Sequence, residues 1–221
     1  MSENLNEVKS KIIAVDLLYL PPIEFFVAIA GYDTLIIEKQ EHYQKQTYRN
    51  RASVLMANKV EDLSIPVRGG NKKIPYREIL IDDEQNWKKL HLRGIQSAYG
   101  KAPFFEYLFP DLEFIISRHS GHLFDLNLDL LSLCLKFLRL SVNLEFSDRY
   151  EENLDVEDIR GIIHPKTHFE RRNIYYPTKY MQLFGLDFVP NLSIIDLMFC
   201  EGPNAAKIIA ASDKKLLNNT R

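Results

Sequence analysis

Between residues 11 and 38, two short apolar runs flank an interval the length of a small helix. Lys11-Ile12-Ile13-Ala14-Val15-Asp16 and Thr34-Leu35-Ile36-Ile37-Glu38 are rich in β-branched residues and too short for helices, so each predicts a buried strand. Pro21-Pro22 precedes the stretch from Ile23 to Ala30, and Gly31 follows it. Proline is tolerated in a first helical turn and glycine is favoured just past a last one, which predicts a helix over 23–30. Strand, helix and strand in about 28 residues form a βαβ unit, hence a parallel pair with a right-handed crossover.

Further along, Leu63-Ser64-Ile65-Pro66-Val67 and Ile79-Leu80-Ile81 predict strands, joined through Arg68-Gly69-Gly70-Asn71. From about Glu84 to Tyr99, Trp87, Leu90, His91, Gly94, Ile95 and Ala98 recur at helical spacing, with Gly100 as the stop. Leu123 to Leu140 is apolar nearly all round and predicts a core helix, and Val142 to Phe146 alternates as a strand. Residues 147–180 are charged and irregular. Two helices are predicted near the end, over 192–199 and 203–211. The expected architecture is α/β: a mixed, partly parallel sheet beginning with the βαβ unit, flanked by helices, with C-terminal helices. No repeat or linker divides the 221 residues. One domain over 1–221 is the simplest organisation, with 1–10 and 212–221 as loose termini and the helices of 190–211 as a possible small appendage.

One segment fits no element. His42-Tyr43-Gln44-Lys45-Gln46-Thr47-Tyr48-Arg49-Asn50-Arg51 carries ten consecutive hydrogen-bonding side chains and no aliphatic one. A buried strand would need a partner for each, so the segment reads as the wall of a polar pocket. If extended, Lys45, Arg49 and Arg51 share a face with Tyr43 and Thr47, and Gln44, Gln46, Tyr48 and Asn50 share the other. Three cations on one face suit phosphate or carboxylate oxygens. The alternative is that these side chains anchor loops. In parallel sheets ligands gather at the carboxyl ends of strands, which brings Asp16, Tyr19, His42 and Tyr43 to one rim.

Charge sharpens this picture. Residues 39–77 carry nine Lys/Arg and three acids in a chain whose formal net charge is −2, so the positive charge is localised. The whole-chain balance gives no reason to expect nucleic acid, and no stretch reads as a membrane span. Cys134 and Cys200 lie in apolar contexts and read as buried free thiols. The first residues lack the pattern of a signal peptide, which predicts a cytoplasmic protein.

Three blocks, Lys11 to Asp16, Leu17-Leu18-Tyr19-Leu20-Pro21-Pro22-Ile23-Glu24-Phe25-Phe26, and Pro190 to Ala205, resemble the WbqC-like family of bacterial proteins in this order. The resemblance takes in Trp87, Tyr99 and Ala102-Pro103-Phe104-Phe105, covering roughly residues 11–206. It implies an association with surface-polysaccharide (O-antigen) gene clusters, and no defined chemistry.

No phosphate-loop, dinucleotide-binding or nucleophile-elbow motif is present. Gly69-Gly70 beside Arg68, Lys72 and Lys73 is a weaker phosphate-binding pattern. His119/His122 and His164/His168 have metal-compatible spacings without further ligands beside them; no metal is expected and no cofactor can be named. Near the end, Asn191 and Ser193-x-x-Asp196 suit helix capping, and Glu201-Gly202-Pro203-Asn204 suits a break between helices. Alternatively Asp196 and Glu201 face the pocket.

Two functions follow. One is a group-transfer enzyme (acyl, aminoacyl or glycosyl) of surface-polysaccharide metabolism, acting on a small anionic metabolite or activated sugar or acyl donor. Lys45, Arg49 and Arg51 would hold the anion, and Gln44, Gln46, Tyr48 and Asn50 would orient the rest. His42, Asp16 or Asp196 would move a proton. The other is a non-catalytic module binding an anionic metabolite or glycan. A deep cleft joining residues 42–51 to Asp196 or Glu201 would favour the enzyme, and a shallow basic patch the binding module.

Overall fold

In a computed structural model of the chain, residues 10–70, 72–147, 154–185 and 187–213 are described. The apolar run after Lys11 forms β1 (Ile12–Val15), with three of its four residues buried. Helix α1 (Ile23–Ile29) follows the double proline and β2 (Thr34–Ile37) follows Gly31, at φ +85°. β1 and β2 pair in parallel from Ile12–Thr34 to Val15–Ile37, as the βαβ pattern predicts. β2 pairs in parallel with β7 (Asn143–Phe146), and β1 with the two-residue β8 (Glu157–Asp158). The sheet order is β7-β2-β1-β8. Its central strands are buried on both sides, as covered parallel strands must be, while β7 is a mostly exposed edge.

Between β2 and β7 lie two small antiparallel pairs and three helices. A hairpin joins β3 (Arg51–Leu55) to β4 (Val60–Ser64), and a two-residue pair joins β5 (Val67–Arg68) to β6 (Leu80–Ile81). Pro66 separates β4 from β5, so the stretch 63–67 is two strands rather than one. Helix α2 (Trp87–Tyr99) buries Trp87, His91, Ile95 and Ala98, but Leu90 is exposed, on the side it shares with the exposed Asn86, Arg93 and Ser97. Helix α3 (Phe105–Arg118) was not expected: Pro110 interrupts its donor series, yet Phe105, Leu108, Leu112 and Ile115 still form one buried stripe. Pro110 sits on the exposed side, where the carbonyl one turn back can meet water instead. Helix α4 (Leu123–Leu138) is the expected core helix and ends at Arg139 in the left-handed region.

Helix α5 (Ile194–Glu201) is covered almost completely, and Ile194, Ile195, Leu197, Met198 and Phe199 belong to the same apolar cluster as α1, α2 and α4. Gly202, at φ +52°, turns the chain into α6 (Ala205–Ala211); a Cβ there would stand 2.4 Å from Phe104. The predicted capping box does not form. Ser193 Oγ donates to the Leu20 carbonyl at 2.8 Å, and Asp196 turns into the core. Asn191 instead caps α1 from across the molecule, its Oδ1 accepting the Glu24 N–H at 2.9 Å. The termini expected to be loose lie outside the described residues apart from Ser10, Ser212 and Asp213; Ser212 is buried and donates to the Ile208 carbonyl at 2.7 Å. Among the described residues no helix is long and apolar enough to cross a membrane.

Packed between the hairpin and the sheet is a Tyr19–His91 pair. Tyr19 donates to His91 Nδ1 at 2.9 Å and Nε2–H donates to the Ser64 carbonyl at 3.2 Å, a pairing that fixes the neutral tautomer. Burial pushes the imidazole down to about 4. In the unfolded chain it titrates near 6.5, so its contribution to stability is fully present above that pH and is lost as pH falls toward 4. The loss reaches about 3 kcal/mol. Denaturant titrations at pH 7 and 4.5 should therefore differ less for His91→Gln than for wild type. An equal pH dependence in both would refute this role.

Candidate functional site

At the carboxyl ends of the parallel strands, β1, β2 and β8 each deliver a carboxylate. Asp16 follows β1, Glu38 follows β2 and Asp158 ends β8. Buried guanidiniums neutralise all three. Arg49 Nη2 donates to Asp16 Oδ1 at 2.8 Å and to Glu41 Oε2. Arg160 reaches Asp158 Oδ2 at 2.6 Å and Glu38 Oε2 at 3.3 Å. Asp16 Oδ2 also accepts the Gly161 N–H at 2.7 Å, tying the loop after β8 to the end of β1.

Above this rim opens a cleft of about 530 Å³ lined by His42, Tyr43, Gln44, Lys45, Gly70, Lys72, Lys73, His164 and Lys166. Its volume is within the usual range for small-molecule sites. Three loops build it: the one after β2, the Gly69-Gly70 turn after β5, and the one after β8. The first two are stitched by Tyr43 N–H to the Ile74 carbonyl at 2.9 Å and Tyr76 N–H to the Glu41 carbonyl at 2.8 Å. The third is held by Arg172, whose Nη1 donates to the carbonyls of His164 at 2.9 Å and Thr167 at 2.5 Å. The other edge of Arg172 grips Glu24 of α1, with Nε to Oε1 at 2.9 Å and Nη2 to Oε2 at 2.5 Å.

The lining holds four lysines and no carboxylate. Burial and the nearby charges of Lys166 and Arg172 hold the His164 imidazole below its ordinary value. Its Nδ1 accepts the Lys166 N–H at 3.0 Å, so the neutral ring carries its proton on Nε2 and offers a donor. Tyr43 is buried, and desolvation pushes its phenol up to about 12, so it too stays a neutral donor. Every ionisable or hydroxyl group of the lining therefore offers donors, which is the chemistry of an oxyanion site.

The segment 42–51 is not extended. Gln46 sits at φ +60° and Thr47 Oγ1 donates to the Gln44 carbonyl at 2.8 Å, folding the stretch into turns. The alternating faces predicted for it are lost: Lys45 is exposed, Arg49 is buried against Asp16, and Arg51 enters β3. Of the residues singled out from the sequence, His42, Tyr43, Gln44 and Lys45 line the cleft; Asp16 and Arg49 lie in the rim. Gln46 is exposed, Tyr48 is partly buried with its backbone carbonyl accepting the Tyr19 N–H, and Asn50 donates to the Ile65 carbonyl at 2.8 Å. Tyr19 is committed to His91.

Asp196 and Glu201 do not line the cleft. Asp196 is fully buried, accepting from Tyr180 at 2.5 Å and from Gln182 at 3.1 Å, and burial raises its pKa. Glu201 accepts from Asn204 at 2.9 Å near the surface. Arg68 turns to Asp82 and Glu84, leaving Lys72 and Lys73 as the cations that the Gly69-Gly70 turn contributes. His119 pairs with Asp129 and His168 with Glu170. Among the described residues no cluster of His, Cys, Asp or Glu is arranged to hold a metal ion. Lys166, Arg160 and Arg172 were not foreseen as part of the site, since only the pairing of β8 with β1 brings their loop here.

A larger cavity of about 920 Å³ lies along the start of β1, the end of α1 and α6. Its walls include Ile12, Ile13, Val27, Ala28 and Ile174, and two of its charged groups, Asp158 and Arg172, are already held by Arg160 and Glu24. Size favours that cavity, but converging chemistry favours the basic cleft, and chemistry decides where a site lies.

Fold and cleft together define an α/β protein with a basic, donor-lined cleft at the carboxyl ends of its parallel strands. The chain belongs to the WbqC-like protein family, whose model matches residues 18–168 and 164–208. It is also 27% identical over 223 residues to the "Uncharacterized protein Rv1507c" of Mycobacterium tuberculosis (strain ATCC 25618 / H37Rv), an alignment covering 88% of this chain and 95% of that protein. No solved structure matches it significantly.

Proposed function

We propose that the protein binds a small anionic metabolite in the basic cleft, the anion being the phosphate of a sugar phosphate, a nucleotide sugar or an activated acyl donor. The observation that carries this reading is the lining itself: four lysines, two histidines and a buried tyrosine, with no carboxylate, from three loops at the carboxyl edge of the sheet. Asp16 and Glu41 lie beside the cleft, where Arg49 holds both. The setting is the cytoplasm, and the pathway is the surface-polysaccharide metabolism associated with the family.

Binding is the core of the proposal. Group transfer is the second reading, favoured by His42 at the cleft wall as the residue placed to exchange a proton with a bound ligand. Asp196, outside the lining, takes no part in either reading.

Thermal-shift screening against sugar phosphates, nucleotide sugars and acyl donors tests the site. A ligand at 100 times its Kd adds about 2.7 kcal/mol, enough to raise Tm by several degrees. Lys73→Glu should abolish the shift while leaving the unliganded Tm close to wild type. His42→Ala should preserve it, and should remove turnover only if the protein transfers a group. A shift that survives Lys73→Glu would place the ligand elsewhere.

A further inference from the structure

Helices α2 and α3 expose a surface on which apolar and charged groups are sorted. Both helices pack on α5: the Tyr99 ring at the end of α2 and the Phe105 ring at the start of α3 each lie 5.2 Å from Phe199. The Phe104 N–H donates to the Phe199 carbonyl at 3.0 Å, which fixes the corner between them. Their opposite faces therefore both look away from α5. Apolar side chains stand there in the open. Leu90 on α2 is 65% exposed, and Tyr107 and Phe114, about two turns apart on α3, are 78% and 62% exposed. Single exposed apolar residues need no reason, but two aromatic rings aligned on one helix face are the kind of group that anchors an interface.

The charges around them divide by sign. Lys88, Lys89 and Arg93 are the formal charges of α2, which carries no acid. On α3, Glu106, Asp111 and Glu113 flank the aromatic stripe. The one base of α3, Arg118, is taken by Asp129 at 2.7 Å and lies over the Phe114 ring at 4.9 Å from its centroid. Lys89, Arg93, Glu106, Asp111 and Glu113 are exposed and make no ion pair among the described residues.

A basic helix beside an acidic one can meet a copy of itself. Across a twofold axis, each copy's α2 lies on the other's α3, so both signs are neutralised twice. Such self-complementarity is what an isologous interface requires. A partner of one sign, acidic or basic, would answer only half of the surface. We propose that this surface joins two copies of the chain about a twofold axis, α2 of each against α3 of the other. Leu90, Tyr107 and Phe114 supply the apolar centre, and the unpaired charges supply the rim.

Sedimentation velocity of the full chain over a range of concentrations tests the proposal. Wild type should sediment as a dimer at high micromolar concentration and dissociate on dilution. Lys89→Glu/Arg93→Glu and Asp111→Lys/Glu113→Lys should each weaken self-association by about a hundredfold, because like charges then face each other. Each should keep the wild-type circular dichroism, since the replaced charges lack partners among the described residues. Mixed in equal amounts, the two variants should form a dimer again: each patch is then of one sign, and the two signs are opposite. Tyr107→Ser should weaken the wild-type dimer without altering helix content. None of these residues lines the basic cleft, so this interface and the anion binding proposed above stand or fall separately. A monomeric wild type, a dimer that survives both reversals, or variants that fail to recombine on mixing would each overturn the assignment. Assemblies that grow beyond the dimer would also overturn it, since a contact that does not close gives filaments.

Discussion

Replacing Arg172 with methionine should lower Tm by about 10 °C. The guanidinium is 4% exposed and its partner Glu24 is 0% exposed, so the substitution strands a carboxylate in the core. Breaking one side of a buried ion pair costs about 3–5 kcal/mol, and a domain of this size loses about 2–4 °C per kcal/mol. Asn191 Nδ2, at 3.3 Å from Glu24, offers the remaining carboxylate only weak compensation. The double variant Glu24→Gln/Arg172→Met should recover part of the loss, since no bare charge remains. A second consequence separates this residue from an ordinary core pair. Arg172 also holds the carbonyls of His164 and Thr167, so the single variant should weaken anion binding at temperatures where it is still folded. Chemical denaturation showing a loss below about 1 kcal/mol would refute the account of the pair.

Arg49→Met should be comparably damaging, with a pH dependence of its own. Arg49 faces two carboxylates, Asp16 and Glu41, and lies over the Tyr76 ring at 5.4 Å from its centroid. Its removal leaves both acids without their cation, at a cost of about 3–5 kcal/mol near neutral pH. Burial already raises the Glu41 carboxyl, and Arg49 is the charge that opposes the rise. Without Arg49 the folded-state value climbs further above the unfolded one. A group raised in this way destabilises the fold at high pH and ceases to do so once it is protonated. The gap between Arg49→Met and wild type should therefore narrow as pH falls from 7 toward 4.5, read by urea midpoints at each pH. A gap that widens would mean that Glu41 is not left uncompensated.

The βαβ start was legible because strand-length apolar runs, a proline entry and a glycine exit all agree locally. The core helix α4 was legible for the same reason. Helix α3 was hidden by Pro110 and by the exposed apolar residues Tyr107 and Phe114, which blur its stripe. The β3–β4 hairpin is obscured because Arg51 continues the polar run of 42–50 in the sequence, yet it is the first residue of a strand burying Ala52 and Val54. At the site, residues 42–45 were identified from their density of polar groups. Their arrangement was not, since alternation presumes an extended chain and a single positive φ at Gln46 removes it. The Gly69-Gly70 turn with Lys72 and Lys73 carried a weak local pattern that the cleft brings beside them. In the third wall the sequence marks only His164, for a metal-like spacing with His168, and not its place here: β8 is two residues long, and its loop reaches the cleft through the pairing with β1 and the bond from Gly161 to Asp16.

That late partner has a consequence for biosynthesis. β1 is made well before the strand that covers its open side, which belongs to a loop 145 positions away, counted from Asp16 to Gly161. During translation at about 5–20 residues per second, β1 stays a bare hydrophobic edge for several seconds after β2 has joined it. Unpaired strand edges invite association with other chains, so ribosome-held nascent chains ending before residue 157 should depend on chaperones more than longer ones. His164 and Lys166 emerge only after β8, so the anion binding proposed for the cleft would report the completed sheet.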